Sequence, residues 1–175
     1  VGANALASNT TGLCNTALGH VAGCNITTGD RNVAIGDESG LCITTENNNI
    51  AIGNCSGYRL QSSDNVSVGK DALRGTGNIT GGSNTAIGAN AGECLTGAST
   101  GNVYIGKSAG PATGTTESNK LYINNSSGTP LIKGDFSTLE VEFAGGVSGS
   151  FSGSFSGDGS SLTGVTAEWD GSHNG

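Results

Sequence analysis

Large side chains are scarce in this chain of 175 residues: methionine is absent, tryptophan occurs once and aromatics make up only 5%. Set among 32 glycines and a surplus of Ser, Thr and Asn, so few bulky residues argue against a conventional compact core. Long hydrophobic runs are also missing; nothing approaches the roughly 20 apolar residues of a membrane helix, so insertion into a bilayer is not expected. Basic residues number 7 against 14 acidic ones, and a formal charge of −7 is a poor match for nucleic acid or an anionic membrane surface. Only His20 and His173 could serve as imidazole bases, and no Ser-His-Asp or Cys-His arrangement can be assembled around either. Asp37 and Glu38 are neighbours and diverge on a strand or turn instead of sharing a proton. Five cysteines (Cys14, Cys24, Cys42, Cys55 and Cys94), an odd number without a Cys-x-x-Cys pair, argue against zinc and redox chemistry. Cys42 and Cys94 hold the same place in the pattern below and read as small, half-buried hydrophobes. No enzymatic activity, metal or cofactor is expected.

What the chain does have is a repeat. Asn32-Val-Ala-Ile-Gly-Asp-Glu-Ser-Gly40 recurs in altered form at Asn15, Asn49, Asn65, Asn84 and Asn102. The glycine after the aliphatic residue falls at Gly2, Gly19, Gly36, Gly53, Gly69, Gly88 and Gly106, giving steps of 17, 17, 17, 16, 19 and 18 residues. That period is too short for helix-pair repeats of roughly 33 to 47 residues, and Gly among β-branched residues would not sustain a helix. One coil of a parallel β-solenoid, or β-roll, per repeat of about 17 residues is the reading that remains. Composition alone would suit a disordered chain; aligned columns would not.

The columns specify the coil. Thr16, Val33, Ile50, Val66, Thr85 and Val103 share a strand face with Leu18, Ile35, Ile52, Val68, Ile87 and Ile105, while Ala17, Ala34, Ala51, Ser67, Ala86 and Tyr104 lie on the other. Apolar residues on both faces imply a strand buried on both sides, as when a thin coil also packs against other subunits. Asn15, Asn32, Asn49, Asn65, Asn84 and Asn102 form a structural ladder, expected at a corner where Asn tolerates left-handed backbone and stacks its amide on the next coil. A second column, Ile26, Ile43, Leu60, Ile79 and Leu95, reads as a second strand of each coil. The opening Val1-Gly-Ala-Asn-Ala-Leu6 matches Val68-Gly-Lys-Asp-Ala-Leu73, so the chain is expected to begin within a repeat of a longer polypeptide.

Three segments follow: a repeat domain over 1–118, a capping or transition β segment over 119–144, and a Gly/Ser/Phe-rich fibre or linker segment over 145–175. Ile123 keeps the 18-residue step from Ile105, and the alternating Leu139-Glu-Val-Glu-Phe143 reads as a half-buried strand. Leu131, Ile132 and Phe136 are the expected cover for the open end of the solenoid. In the last segment Val147, Phe151 and Phe155 recur every four residues and are expected to meet on the axis of a trimer.

The Asn-x-Ala-Ile-Gly repeat resembles the left-handed β-roll of trimeric autotransporter adhesin heads. The succession of that repeat, Lys120-Leu-Tyr-Ile-Asn124, Pro130-Leu-Ile-Lys-Gly-Asp-Phe-Ser137 and Ser152-Gly-Ser-Phe-Ser-Gly-Asp-Gly-Ser-Ser-Leu-Thr-Gly-Val165 is similar to phage and giant-virus fibre proteins. The resemblance implies a homotrimeric extracellular fibre on a virion or cell surface, a stiff shaft or head for host attachment. Its partners would be its own copies and a host-surface receptor, with glycans among the candidates. An ice-binding solenoid is the alternative from another class, and it needs a flat Thr-x-Thr ladder.

Overall fold

The computed structural model of the protein describes residues 1–126 and 128–145. The described residues form an all-β parallel solenoid of about six turns without a helix. Each turn contributes one three-residue strand: β1 Thr16–Leu18, β2 Val33–Ile35, β3 Ile50–Ile52, β4 Val66–Val68, β5 Thr85–Ile87 and β6 Val103–Ile105. They pair in order and in parallel, with the repeat columns in strict register: Ala17 beside Ala34, Ala34 beside Ala51, and onward to Ala86 beside Tyr104. β7, Lys120–Ile123, adds in parallel with Ile105 beside Ile123. β8, Ile132–Asp135, and β9, Glu140–Phe143, then turn antiparallel and complete a nine-stranded sheet.

Each coil owes its shape to a few backbone positions. The residue before the ladder asparagine (Cys14, Arg31, Asn48, Asp64, Ser83 or Gly101) has φ between 57 and 66°, so the left-handed corner lies one position ahead of the asparagine, not on it as the sequence suggests. After three extended residues comes the column glycine: Gly36, Gly53, Gly69 and Gly88 have φ near 130°, and a Cβ on any of them would lie 2.5 to 2.6 Å from the carbonyl of the next glycine in the column. No other residue fits there. Two residues on, Val21, Glu38, Cys55, Asp71, Asn90 and Ser108 are again left-handed. These bends keep the second column from becoming a strand; only isolated parallel bridges, Leu60 to Ile79, Ile79 to Gly97 and Leu95 to Thr115, appear where a second strand is expected.

The interior is the second column facing the small residues of the strands. Ile26, Ile43, Leu60, Ile79 and Leu95 are fully buried with Ala34, Ala51 and Ala86. Most turns bury one large aliphatic opposite a small strand residue, and the turn after β4 buries two, Leu73 and Ile79. In the sixth coil Tyr104 replaces the alanine while the second column ends at Thr115, and the buried tyrosine ring fills the space between Gly92 and Gly110.

Candidate functional site

Two arrays run the length of the sheet, one buried and one facing out. The buried array is the asparagine ladder. Asn32 Oδ1 accepts from the backbone N–H of Asn49 at 3.0 Å and from Asn49 Nδ2 at 3.2 Å. Asn49 Oδ1 does the same for Asn65, at 3.0 and 3.1 Å, and Asn65 Oδ1 for Asn84, at 3.0 and 3.1 Å. The series starts at Asn15 and ends where Asn102 Oδ1 accepts the Lys120 N–H at 2.9 Å. Several amides also donate across the coil, as Asn32 Nδ2 does to the Glu46 carbonyl at 2.8 Å and Asn102 Nδ2 to the Glu117 carbonyl at 2.8 Å. Asn32 through Asn102 are fully buried, so this polar line fastens strand to corner in every turn.

The outward array is made by the other strand face. Leu18, Ile35, Ile52, Val68, Ile87 and Ile105 point away from the coil, so this is the face that the sequence expects other subunits to cover. Ile35, Ile52 and Val68 are half-buried, and Leu18, Ile87 and Ile105 are 50, 45 and 39% exposed. The reason is size, because the narrow interior accepts alanine and puts the branched residue outside. Register carries both outer columns across all nine strands: Val103, Leu121, Gly134 and Val141 continue one, and Ile105, Ile123, Ile132 and Phe143 the other. Two positions on each strand make up this face; none is charged, and only Thr16, Thr85 and Gly134 are not apolar.

Beyond the sixth coil the opposite face of the sheet is no longer covered. There the rows Lys120, Asp135, Glu140 and Tyr122, Lys133, Glu142 line a polar hollow of about 600 Å³. Glu117 stands at its edge, accepting from Tyr104 Oη at 2.6 Å and Tyr122 Oη at 3.1 Å. Burial, then the Glu117 charge, pushes the Tyr122 phenol up to about 12; burial and the Glu117 hydrogen bond raise Tyr104 further. Lys120 and Ser137 bind the Asp135 carboxylate and hold it well below the ordinary carboxylate range.

Other residues singled out from the sequence lie apart. His20 Nδ1 meets Asp37 at 2.9 Å on an exposed corner, while Glu38 accepts from Cys55 Sγ at 3.5 Å, so the adjacent carboxylates diverge. All five cysteines are free, and burial raises the thiols of Cys24, Cys42, Cys55 and Cys94 above the usual value, which makes them poor nucleophiles. Among the described residues no group of three or more His, Cys, Asp or Glu is placed to hold a metal. Leu131 and Phe136, expected to cover the end of the solenoid, are 62 and 49% exposed, because β8 and β9 extend the sheet instead of folding over the coil. Val147, Phe151 and Phe155 lie outside the described residues. Glu117 had no signal in the sequence, being one acidic residue in a polar connection.

No protein-family model, curated protein or solved structure matches this chain.

Proposed function

We propose that this chain is a structural and adhesive segment of a homotrimeric surface fibre. The observation that carries the reading is the uncharged outer face, an apolar strip running along a sheet in a chain of net charge −7. Water-exposed apolar strips of this extent mark association surfaces. A parallel cyclic assembly places each coil beside its own copies, so rung meets rung along the whole length. Covering a half-exposed Leu or Ile contributes about 1 kcal/mol, and the strip repeats that gain at each turn. The exposed corners beside the buried ladder, where Arg31, Asn48 and Asp64 are hydrogen-bonded in line, remain outside, presenting repeated polar groups whose weak contacts with a receptor, glycan or protein, add through avidity. Extracellular exposure, on a virion or a cell, belongs to the same reading.

Light scattering tests it. A solution mass near three times 17.1 kDa supports the fibre, and a stable monomer overturns it and favours the ice-binding alternative, although that outer face offers only Thr16 and Thr85 as threonines.

A further inference from the structure

We propose that the β8–β9 hairpin is an association element whose outer face packs on a second, parallel copy of this chain. This rests on the fibre reading above and assigns a part of the contact that the repeat pattern does not contain.

The hairpin leaves the end of the solenoid open. It adds two strands to the sheet edge, and its two faces differ completely: Lys133, Asp135, Glu140 and Glu142 occupy one, while Ile132, Val141 and Phe143 occupy the other. Antiparallel strands normally solvate one face and pack the other. The charged face is the solvated one, which leaves the apolar face as the one to be packed. Val141 and Phe143 on it are 57 and 51% exposed, with nothing among the described residues over them. A short hairpin gains little stability by itself and needs a packed face.

A second copy is the occupant because the hairpin columns are the solenoid columns continued. Ile105, Ile123, Ile132 and Phe143 stand in one register line across parallel and antiparallel strands alike. Copies brought together along the coils therefore meet at the hairpin without any change of direction. Each copy carries −7, and the approach runs along a strip that has no charge to repel.

The test uses the full chain, with Val141→Glu/Phe143→Glu against Lys133→Gln/Glu142→Gln on the opposite face. Both altered apolar positions are about half exposed in a single copy, so a folded solenoid is retained and far-ultraviolet dichroism checks it. Carboxylates placed in a dry interface are expected to weaken association by about 100-fold or more, read from mass against concentration, while the opposite-face variant assembles like the wild type. In the wild type, amide exchange over residues 132–143 should slow as concentration rises through assembly. A trimeric wild type whose Val141→Glu/Phe143→Glu variant assembles equally well, or whose hairpin exchange is independent of concentration, overturns the hairpin contact and leaves the fibre reading intact. A wild type that stays monomeric removes the fibre reading itself.

Discussion

Replacing Asn49 by alanine tests the buried ladder at its centre. Asn49 Oδ1 receives the Asn65 backbone N–H at 3.0 Å and Asn65 Nδ2 at 3.1 Å, and Asn49 Nδ2 donates to Asn32 Oδ1 at 3.2 Å. Truncation removes all three. Asn65 Nδ2 keeps Ser62 and Ser63 as acceptors, and Asn32 Oδ1 keeps the Asn49 N–H, so neither is stranded. The Asn65 backbone N–H does lose its acceptor, and in a residue with no solvent exposure that costs about 1–3 kcal/mol. Two lost side-chain hydrogen bonds add about 0.5–1.5 kcal/mol each, for a total of about 2–6 kcal/mol. At about 2–4 °C per kcal/mol for a chain of this size, the melting temperature falls by several degrees at least. Calorimetry at one fixed protein concentration reads it, since assembly would otherwise shift the midpoint. Asn15→Ala provides the comparison, because Asn15 is only partly buried just ahead of the first strand, where loosening of one coil limits the loss. An Asn49→Ala protein melting within 1 °C of wild type would refute the argument.

Three further outcomes separate the parts of the coil. Ala51→Asp places a charge in the closed interior and is expected to abolish folding, whereas Ile52→Asp, one residue along on the outer face, should leave a folded chain that fails to assemble; dichroism and light scattering on both decide it, and two unfolded variants would contradict the assignment of faces. Because the folded pKa of Tyr122 is raised from 10.0 to about 12, its contribution is fully present below pH 10 and is lost as pH rises toward 12. Denaturation midpoints should therefore fall more steeply with pH over that window than those of Tyr122→Phe, and parallel profiles would count against the Glu117 pairing. Thiol titration of unreduced, denatured protein should find all five cysteines free, and a bridge between Cys42 and Cys94 would contradict a stack of coils that holds them about 14 Å apart at roughly 4.8 Å per coil.

The spacing of Gly19 through Gly106 was enough to place every repeat strand, because the column glycine admits no other residue and the three residues before it have nowhere to go but extended. The inside and outside of the strand were not legible. Alternation separates Ala51 from Ile50 and Ile52 but gives no direction, and only the depth of the coil, set by Ile43 and Leu60 opposite, shows that alanine points in. The second column is legible as apolar but its lack of a full strand is not, since the left-handed turns at Glu38, Cys55 and Asp71 occur at residues with no common chemistry. Val21 and Leu73 adopt positive φ for the same reason: the coils above and below impose it, against local preference. Of the outer face, the solenoid part could be read from the columns, and the hairpin part could not, because antiparallel register depends on where the chain turns between Asn124 and Leu131.

The ladder also has a direction. Every Oδ1 from Asn15 to Asn84 receives two donors from the coil that comes later in the sequence, and Asn102 Oδ1 one, from Lys120; none comes from the coil before. As the chain emerges from its N-terminal end, a completed turn thus displays a waiting acceptor, and the next turn arrives carrying the donors that fill it. The line of amides works as a one-way template, copied turn by turn in the order of synthesis. A turn inserted or deleted by recombination between repeats leaves that template unbroken, so the length of the solenoid can change in whole turns while its cross-section stays the same.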